Sequence, residues 1–143
     1  MHDPEQNVGK IYRAYVKYFD TKDRRMKTKS RPVLIVGFED DYDSPMNIDY
    51  EVLSFSSMKR RKPNPIYDVS LDGKYEKFGL NESCYIRTNK IEWIHVKHME
   101  IEDPIGELRS IDPELFETAL KLNEQWVVRR TRNHLVQPTN TEV

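Results

Sequence analysis

The sequence predicts a mainly β protein with a helix near its C-terminal end, built as a small barrel or sandwich. Short runs rich in β-branched and aromatic residues recur along the first two thirds of the chain, separated by clusters of Gly, Pro, Asn and Asp. About five to seven strands at such close spacing are typical of a small barrel or sandwich. One segment with a helical period follows them.

The first three predicted strands occupy the N-terminal part of the chain. Residues 9–19 alternate in polarity, and residues 33–38 form a continuous apolar run, as expected for a central strand covered on both faces. The basic run at residues 22–31 has no usable period and predicts a long loop. Pro32 would open the second strand, because a strand tolerates a missing N–H at its first position. Residues 50–55 alternate again as a third strand.

The next predicted elements are a hairpin and a long strand. Asp72-Gly73 lies between two alternating runs, a pattern that predicts a β-hairpin with a two-residue primed turn. Another strand follows over residues 83–99, interrupted at residues 88–90.

An amphipathic helix is predicted over residues 113–128, packed on the barrel or on a second subunit. Asp112 suits the N-cap, and Pro113 suits the first helical position. Apolar side chains then recur at helical spacing at Leu115, Ala119, Leu122 and Trp126. We expect residues 1–128 to form one domain and residues 129–143 to form a flexible tail, because the tail shows no sustained period.

Charge is distributed unevenly although the net charge is only −1. Two short basic segments, residues 22–31 and residues 59–62, hold ten of the 23 basic residues, while acids cluster at residues 39–43 and 100–117. This asymmetry predicts a positive and a negative side if the fold joins the two basic segments, whereas two solvated loops are the simpler alternative.

A cytoplasmic location is expected. Cys84 is the only cysteine, which fits a reducing compartment and excludes an intrachain disulfide. The first residues lack the features of a signal peptide, and no apolar stretch approaches the roughly 20 residues that span a bilayer.

Common catalytic and metal motifs are missing from the sequence. There is no Gly-rich phosphate loop, no HExxH, no cysteine pair and no GxSxG. His95 and His98 are three residues apart on a predicted strand, which sends them to opposite faces. The acids at residues 39–43 lack the spacing of a calcium loop and indicate a solvated turn. No metal and no cofactor is therefore expected.

The remaining polar residues suit phosphodiester chemistry on RNA. RNA carries its own nucleophile, the 2′-OH, so a protein need only orient the attack, shuttle protons and stabilise charge on phosphorus. Arg31, held by Pro32 and the strand behind it, is the candidate guanidinium. Ser56 and Ser57 are the candidate hydroxyls, because adjacent strand ends would bring them to Arg31. A salt-bridge partner at Arg31 and an ordinary turn at the two serines are the structural alternatives.

The order of these features resembles the MazF/PemK family of toxin endoribonucleases. The resemblance rests on "VGKIYRAYV", then "SRPVLIV", then "LSFSS", and on the later "YDVSLDGKYEKFGLNESCYIRTNKIEWI" and "IGELRSIDPELFETALKLNEQW". It spans roughly residues 8 to 126. The motifs are short, and their ordered set carries the likeness.

The resemblance implies an SH3-like β-barrel that forms a homodimer, cleaves single-stranded RNA without a metal and is inhibited by an antitoxin protein. The expected products carry a 2′,3′-cyclic phosphate and a 5′-hydroxyl. The family's arginine falls on Arg31 and its threonine on Ser56, with Ser57 as the second choice. Ser56 lacks the methyl that stiffens a threonine side chain. The residues predicted to bind RNA are Arg24, Arg25, Lys27, Lys29, Lys59, Arg60, Arg61 and Arg87.

Two other classes of function fit the same sequence. One is a non-catalytic barrel that holds RNA or DNA through its basic loops, and the other acts through protein contacts alone. Base stacking is conceivable on Tyr12, Tyr15, Tyr67 or Tyr85, although core positions are the simpler assignment for most of them.

Overall fold

The computed structural model describes residues 3–136 as a curled six-stranded antiparallel half-barrel with a C-terminal helix. This confirms the predicted mainly β class with a small barrel and a late helix. The strands are β1 (Lys10–Asp20), β2 (Arg25–Phe38), β3 (Asp49–Ser57), β4 (Asp68–Ser70), β5 (Cys84–His95) and β6 (Gly106–Glu107). The helices are α1 (Pro4–Asn7), α2 (Leu108–Ile111) and α3 (Pro113–His134), with 3-10 turns at Tyr75–Phe78 and Val96–His98.

The strand order in the sheet is β4-β5-β3-β2-β1-β6. Both faces of its centre are covered, because neighbouring residues on β2 enter different cores: Val33 packs in one and Leu34 in the other, and both are fully buried. The prediction of a central strand covered on both faces is confirmed. The core that contains Leu34 also receives Phe116 of α3.

The second core contains a buried polar bridge. The Asn7 side chain donates to the hydroxyl of Tyr50 at 2.8 Å and accepts from the hydroxyl of Tyr12 at 2.8 Å. The amide therefore satisfies two tyrosine hydroxyls that are removed from water, and it ties α1 to β1 and β3.

The predicted basic loop is wrong. β1 and β2 form one long hairpin whose register runs from Ile11 opposite Leu34 to Asp20 opposite Arg25. The Asp20 carboxylate closes the turn by accepting from the backbone N–H groups of Lys22 and Asp23. The run lacks an apolar period because one face of this ribbon is exposed and the half-buried face carries charged side chains such as Lys27 and Lys29. Its backbone groups are satisfied by the ladder.

Pro32 lies inside β2 rather than at its start, which corrects the prediction that it opens the strand. Pro32 is opposite Arg13 of β1, but pairing of β2 with β3 begins only at Val33. On the β3 side, Pro32 is therefore locally at an edge, where a strand tolerates a residue without an N–H.

The predicted primed hairpin at Asp72-Gly73 is also wrong. A primed turn needs a positive φ at its first central residue, which here is Asp72. Gly73 has a φ of +79°, but Asp72 has no positive φ. The chain then enters the 3-10 turn Tyr75–Phe78, and β4 pairs with β5 instead. The long strand predicted over residues 83–99 is confirmed as β5 up to His95, but Val96–His98 form a 3-10 turn, so His95 and His98 do not lie on one strand as the sequence predicts. The expected interruption at residues 88–90 is a register shift in its pairing with β3.

Helix α3 packs on its own chain and is longer than predicted. The Asp112 carboxylate accepts from the N–H of Leu115 at 3.1 Å, confirming the N-cap. The helix runs to His134 and not to residue 128. Near its C-terminal end, Trp126 packs edge-on against Tyr67 with ring centroids 5.6 Å apart, and Arg129 donates to the Tyr67 hydroxyl. The flexible tail expected from residue 129 is corrected to that extent, and residues 137–143 of it lie outside the described residues.

No helix in the described part of the chain is long and apolar enough to cross a membrane.

Candidate functional site

The main cleft, of about 540 Å³, lies where β2 and β3 separate. Pairing between β2 and β3 ends at Val33 and Ser54. Beyond that point Arg31 on β2 is not paired with β3, and Ser56 on β3 is not paired with β2. The cleft is lined by Arg13, Lys29, Ser30, Arg31, Pro32, Ser54, Phe55, Ser56, Ser57, Arg60, Gly79, Leu80, Asn81, Glu82, Cys84, Arg87, Lys90 and Ile105. It gathers the three predicted catalytic residues, Arg31, Ser56 and Ser57.

Arg31 is held at the cleft by an ion pair. Its backbone is opposite Ala14 of β1, and its Nη2 donates to Oε1 of Glu92 at 2.7 Å. Glu92 belongs to β5, so the Arg31 side chain reaches across the intervening strand β3. The Nε of Arg31 is buried and has no hydrogen-bond partner. This guanidinium therefore keeps donor capacity beyond its ion pair.

The two serines occupy the end of β3 and pair with β5, opposite Tyr85 and Cys84. The Ser57 Oγ accepts from the backbone N–H of Lys59 at 3.2 Å, which caps the turn that leaves the strand. Ser56 and Ser57 are both half-buried beside the cleft. Because side chains alternate along a strand, Ser56 and Ser57 point to opposite faces of β3.

Positive charge dominates the cleft. Six cationic side chains and one acidic side chain, Glu82, lie among its lining residues. The pKa of the Lys29 ammonium is lowered, mainly by burial and further by the neighbouring cations Arg60, Arg31 and Lys90. The two basic segments of the sequence therefore meet in space at this cleft, through Lys29 and Arg31 from one and Arg60 from the other.

Arg87 and Lys90 bring further cations to the cleft from β5. They flank the register shift between β3 and β5, where Ser54 is opposite Arg87 and Leu53 is opposite Ile91. The Nε of Arg87, like that of Arg31, is buried without a hydrogen-bond partner. Two arginines on different strands thus present unused donors in the same region.

Five of the residues predicted to bind RNA do not line the cleft. They are Arg24, Arg25, Lys27, Lys59 and Arg61. Lys27 is paired with Asp20 at 2.9 Å and also contacts Asp23, and these carboxylates raise its pKa. The positive φ of Arg24 places it in the turn of the long hairpin.

Three of the four tyrosines considered for base stacking are core residues. Tyr12, Tyr67 and Tyr85 are at most 5% exposed, so their rings are not available to a nucleotide. Tyr15 is exposed, and its hydroxyl donates to Glu100. The core assignment is the correct one for the buried three, because their rings fill the interior of the barrel and its helix contact.

Cys84 also lines the cleft, although it is almost fully buried. Burial raises the pKa of Cys84 to about 11, with a smaller effect from Glu82. The thiol is therefore protonated near neutral pH, and since the thiolate is the nucleophilic form, Cys84 is a poor nucleophile here.

Several cleft residues were not identified from the sequence. Arg13 and Lys90 are single basic residues within strand patterns. Glu92, which does not line the cleft but contacts Arg31, is an ordinary acid at a polar position of β5. A strand register would have revealed Arg13, because it is opposite Pro32. No local signal distinguishes Glu92, because its contact with Arg31 spans 61 residues of sequence.

No group of three or more His, Cys, Asp or Glu side chains among residues 3–136 is arranged to hold a metal ion. What the cleft offers instead is guanidinium and ammonium groups beside hydroxyls, an arrangement that suits the binding of phosphate oxygens.

Comparisons with known proteins give no identification: no family model matches the chain, and no curated protein matches it. The resemblance to the MazF/PemK family therefore stays a prediction.

Proposed function

We propose that this protein is a metal-independent, sequence-selective endoribonuclease that cleaves single-stranded RNA by attack of the 2′-OH on the adjacent phosphate. The observation that carries this proposal is the cleft itself, where Arg31, Ser56 and Ser57 lie among six cationic side chains. The resemblance of the sequence to toxin endoribonucleases supports the same reaction.

In the proposed reaction the 2′-oxygen loses its proton and bonds to phosphorus, and the bond from phosphorus to the 5′-oxygen breaks. The products are a 2′,3′-cyclic phosphate and, after protonation of the leaving oxygen, a 5′-hydroxyl. Arg31 stabilises the negative charge that develops on the phosphoryl oxygens. Ser56 donates a hydrogen bond to the scissile phosphate, and Ser57 takes that role if the strand presents it instead. Arg60, Arg87, Lys29 and Lys90 hold the flanking phosphates.

As the family resemblance implies, the active form would be a cytoplasmic homodimer, and a cognate antitoxin would inhibit it by covering the RNA-binding surface. Size measurement in solution and copurification with the product of a neighbouring gene test these two expectations.

The test of the nuclease is incubation of the purified protein with a long single-stranded RNA in excess EDTA, followed by mapping of new ends. Discrete cuts with 2′,3′-cyclic phosphates are expected. Arg31→Ala should lower the cleavage rate by at least about 100-fold, the range measured when one donor to transition-state charge is removed. Arg130→Ala removes an exposed arginine from α3 and should cut normally. Cleavage retained in folded Arg31→Ala would contradict the proposal.

A second candidate function is a non-catalytic module that binds RNA or DNA. The observation that favours it is the ion pair of Arg31 with Glu92, because an arginine that is already paired can still contribute to a polyanion-binding surface. Both functions predict that affinity falls with rising salt, since each phosphate contact releases counterions. Binding of RNA without any cleavage would select the module, and absence of both at low salt would select a role in protein contacts.

A further inference from the structure

Given the proposed RNA-binding function, the ion pair between Arg31 and Glu92 affects how tightly the cleft binds a phosphate. Arg31 lines the cleft, whereas Glu92 is not among the lining residues. The carboxylate therefore contacts the guanidinium from outside the cleft lining. The two side chains are 27% and 31% exposed, so solvent screens their attraction less than it would on an open surface.

The contact leaves part of the guanidinium unused. One nitrogen, Nη2, donates to Glu92 at 2.7 Å, while Nε is buried and has no partner. A buried donor without a partner is costly, because it has lost its water and gained no acceptor. An oxyanion in the cleft would supply that acceptor.

Glu92 also competes with a bound anion for Arg31. A phosphate that contacts Arg31 meets a guanidinium whose charge is already balanced by a carboxylate and whose Nη2 already donates to that carboxylate. The anchor that orients Arg31 therefore also weakens the attraction of Arg31 for a ligand.

We infer that Glu92 is a positioning residue that orients Arg31 and competes with the RNA phosphate for it. It sets the balance between the affinity of the cleft for RNA and the alignment of the guanidinium. Removing its charge while keeping its oxygen should tighten RNA binding, and removing the whole group should misalign Arg31.

The experiment measures binding of a 2′-O-methyl RNA oligonucleotide, which has no nucleophilic hydroxyl, to the full chain and its variants. Glu92→Gln keeps an acceptor oxygen, and we expect the dissociation constant to fall by roughly three- to tenfold, within the range of coupling between contacting residues. In the Arg31→Ala background the same substitution should change it by less than about twofold. Glu82→Gln removes a charge from the cleft rim without touching Arg31, and its effect should be equal in both backgrounds.

Cleavage kinetics on unmodified RNA separate orientation from affinity. Glu92→Gln should lower KM with kcat nearly kept, whereas Glu92→Ala should lower kcat by at least about tenfold without raising KM, the pattern of a lost transition-state alignment. Thermal unfolding of each variant establishes that it is folded. A merely structural role would not produce this split.

Equal binding by Glu92→Gln and the wild type, or equal tightening with and without Arg31, would overturn the role of Glu92. If RNA is cut normally in that case, the nuclease proposal survives alone. If the analogue binds with the expected coupling but unmodified RNA stays intact, the nuclease proposal fails and the role of Glu92 stands.

Discussion

Two glycines with the same backbone conformation provide a sharp test of the structure. Gly73 and Gly79 both have a φ of +79°. A Cβ added at Gly73 would meet nothing within 4 Å, whereas a Cβ at Gly79 would lie 2.1 Å from the carbonyl oxygen of Ile105. The pair therefore separates the cost of the left-handed conformation from the cost of a steric clash.

The expected magnitudes follow from that difference. Alanine in the left-handed region costs about 1 kcal/mol, and this is the whole expected loss for Gly73→Ala. Gly79→Ala pays the same cost and must also move a backbone carbonyl. Ile105 cannot yield easily, because its N–H donates to the carbonyl of Ile11 at 2.8 Å. Overpacking typically adds about 1–3 kcal/mol, so we expect Gly79→Ala to lose about 2–4 kcal/mol in total.

Urea denaturation followed by tryptophan fluorescence measures both variants. The midpoint should fall by a clearly larger amount for Gly79→Ala, with the slope of the transition unchanged, since the surface exposed on unfolding stays the same. Gly79 and Ile105 also line the cleft, so Gly79→Ala should weaken RNA binding and Gly73→Ala should not. Equal loss of stability in the two variants would refute the close approach at Gly79.

Two further predictions concern the buried bridge of the second core. Asn7→Ala leaves the hydroxyls of Tyr12 and Tyr50 without their partner, and at about 1–3 kcal/mol for each unsatisfied group we expect a loss of about 2–6 kcal/mol, measured by urea denaturation. Alkaline titration tests the burial of the same hydroxyls. Burial raises the pKa of Tyr12 to about 12, above the unfolded value of about 10, so its contribution to stability is complete below pH 10 and is lost as pH rises towards 12. Tyr12→Phe should flatten this loss, and an unchanged pH dependence in that variant would contradict the assignment.

The two errors in the strand assignments have different causes. The basic run at residues 22–31 has no apolar period, but the structure extends β2 through most of it as a ribbon paired with β1. One face of this ribbon is exposed and the half-buried face carries Lys27 and Lys29, so the alternation of apolar and polar residues that marks a strand is missing. The Asp-Gly pair at residues 72–73 does make a turn, but β4 finds its partner in β5, because the edge of the sheet is a more extensive partner than the short segment that follows the turn.

The candidate site was predictable in part. The expectation that adjacent strand ends meet singles out Arg31, Ser56 and Ser57, and all three line one cleft, although Arg31 lies inside β2 and not at its end. Their catalytic roles stay a prediction. Charge alone predicts the hairpin cations as RNA ligands, and charge density along the sequence does not distinguish Lys29, which lines the cleft, from Lys27, which is paired with Asp20.

Local propensity and polarity period carry information over a few residues, and they suffice to predict the mainly β class, the capped C-terminal helix and the apolar centre of β2. Three features lie beyond that range: β2 and β3 separate at Val33 and Ser54, a register shift in β5 brings Arg87 and Lys90 to the cleft, and Glu92 holds Arg31 across β3. These features depend on which strands become neighbours and in what register. That choice is made by the packing of the whole sheet, so no short segment contains it.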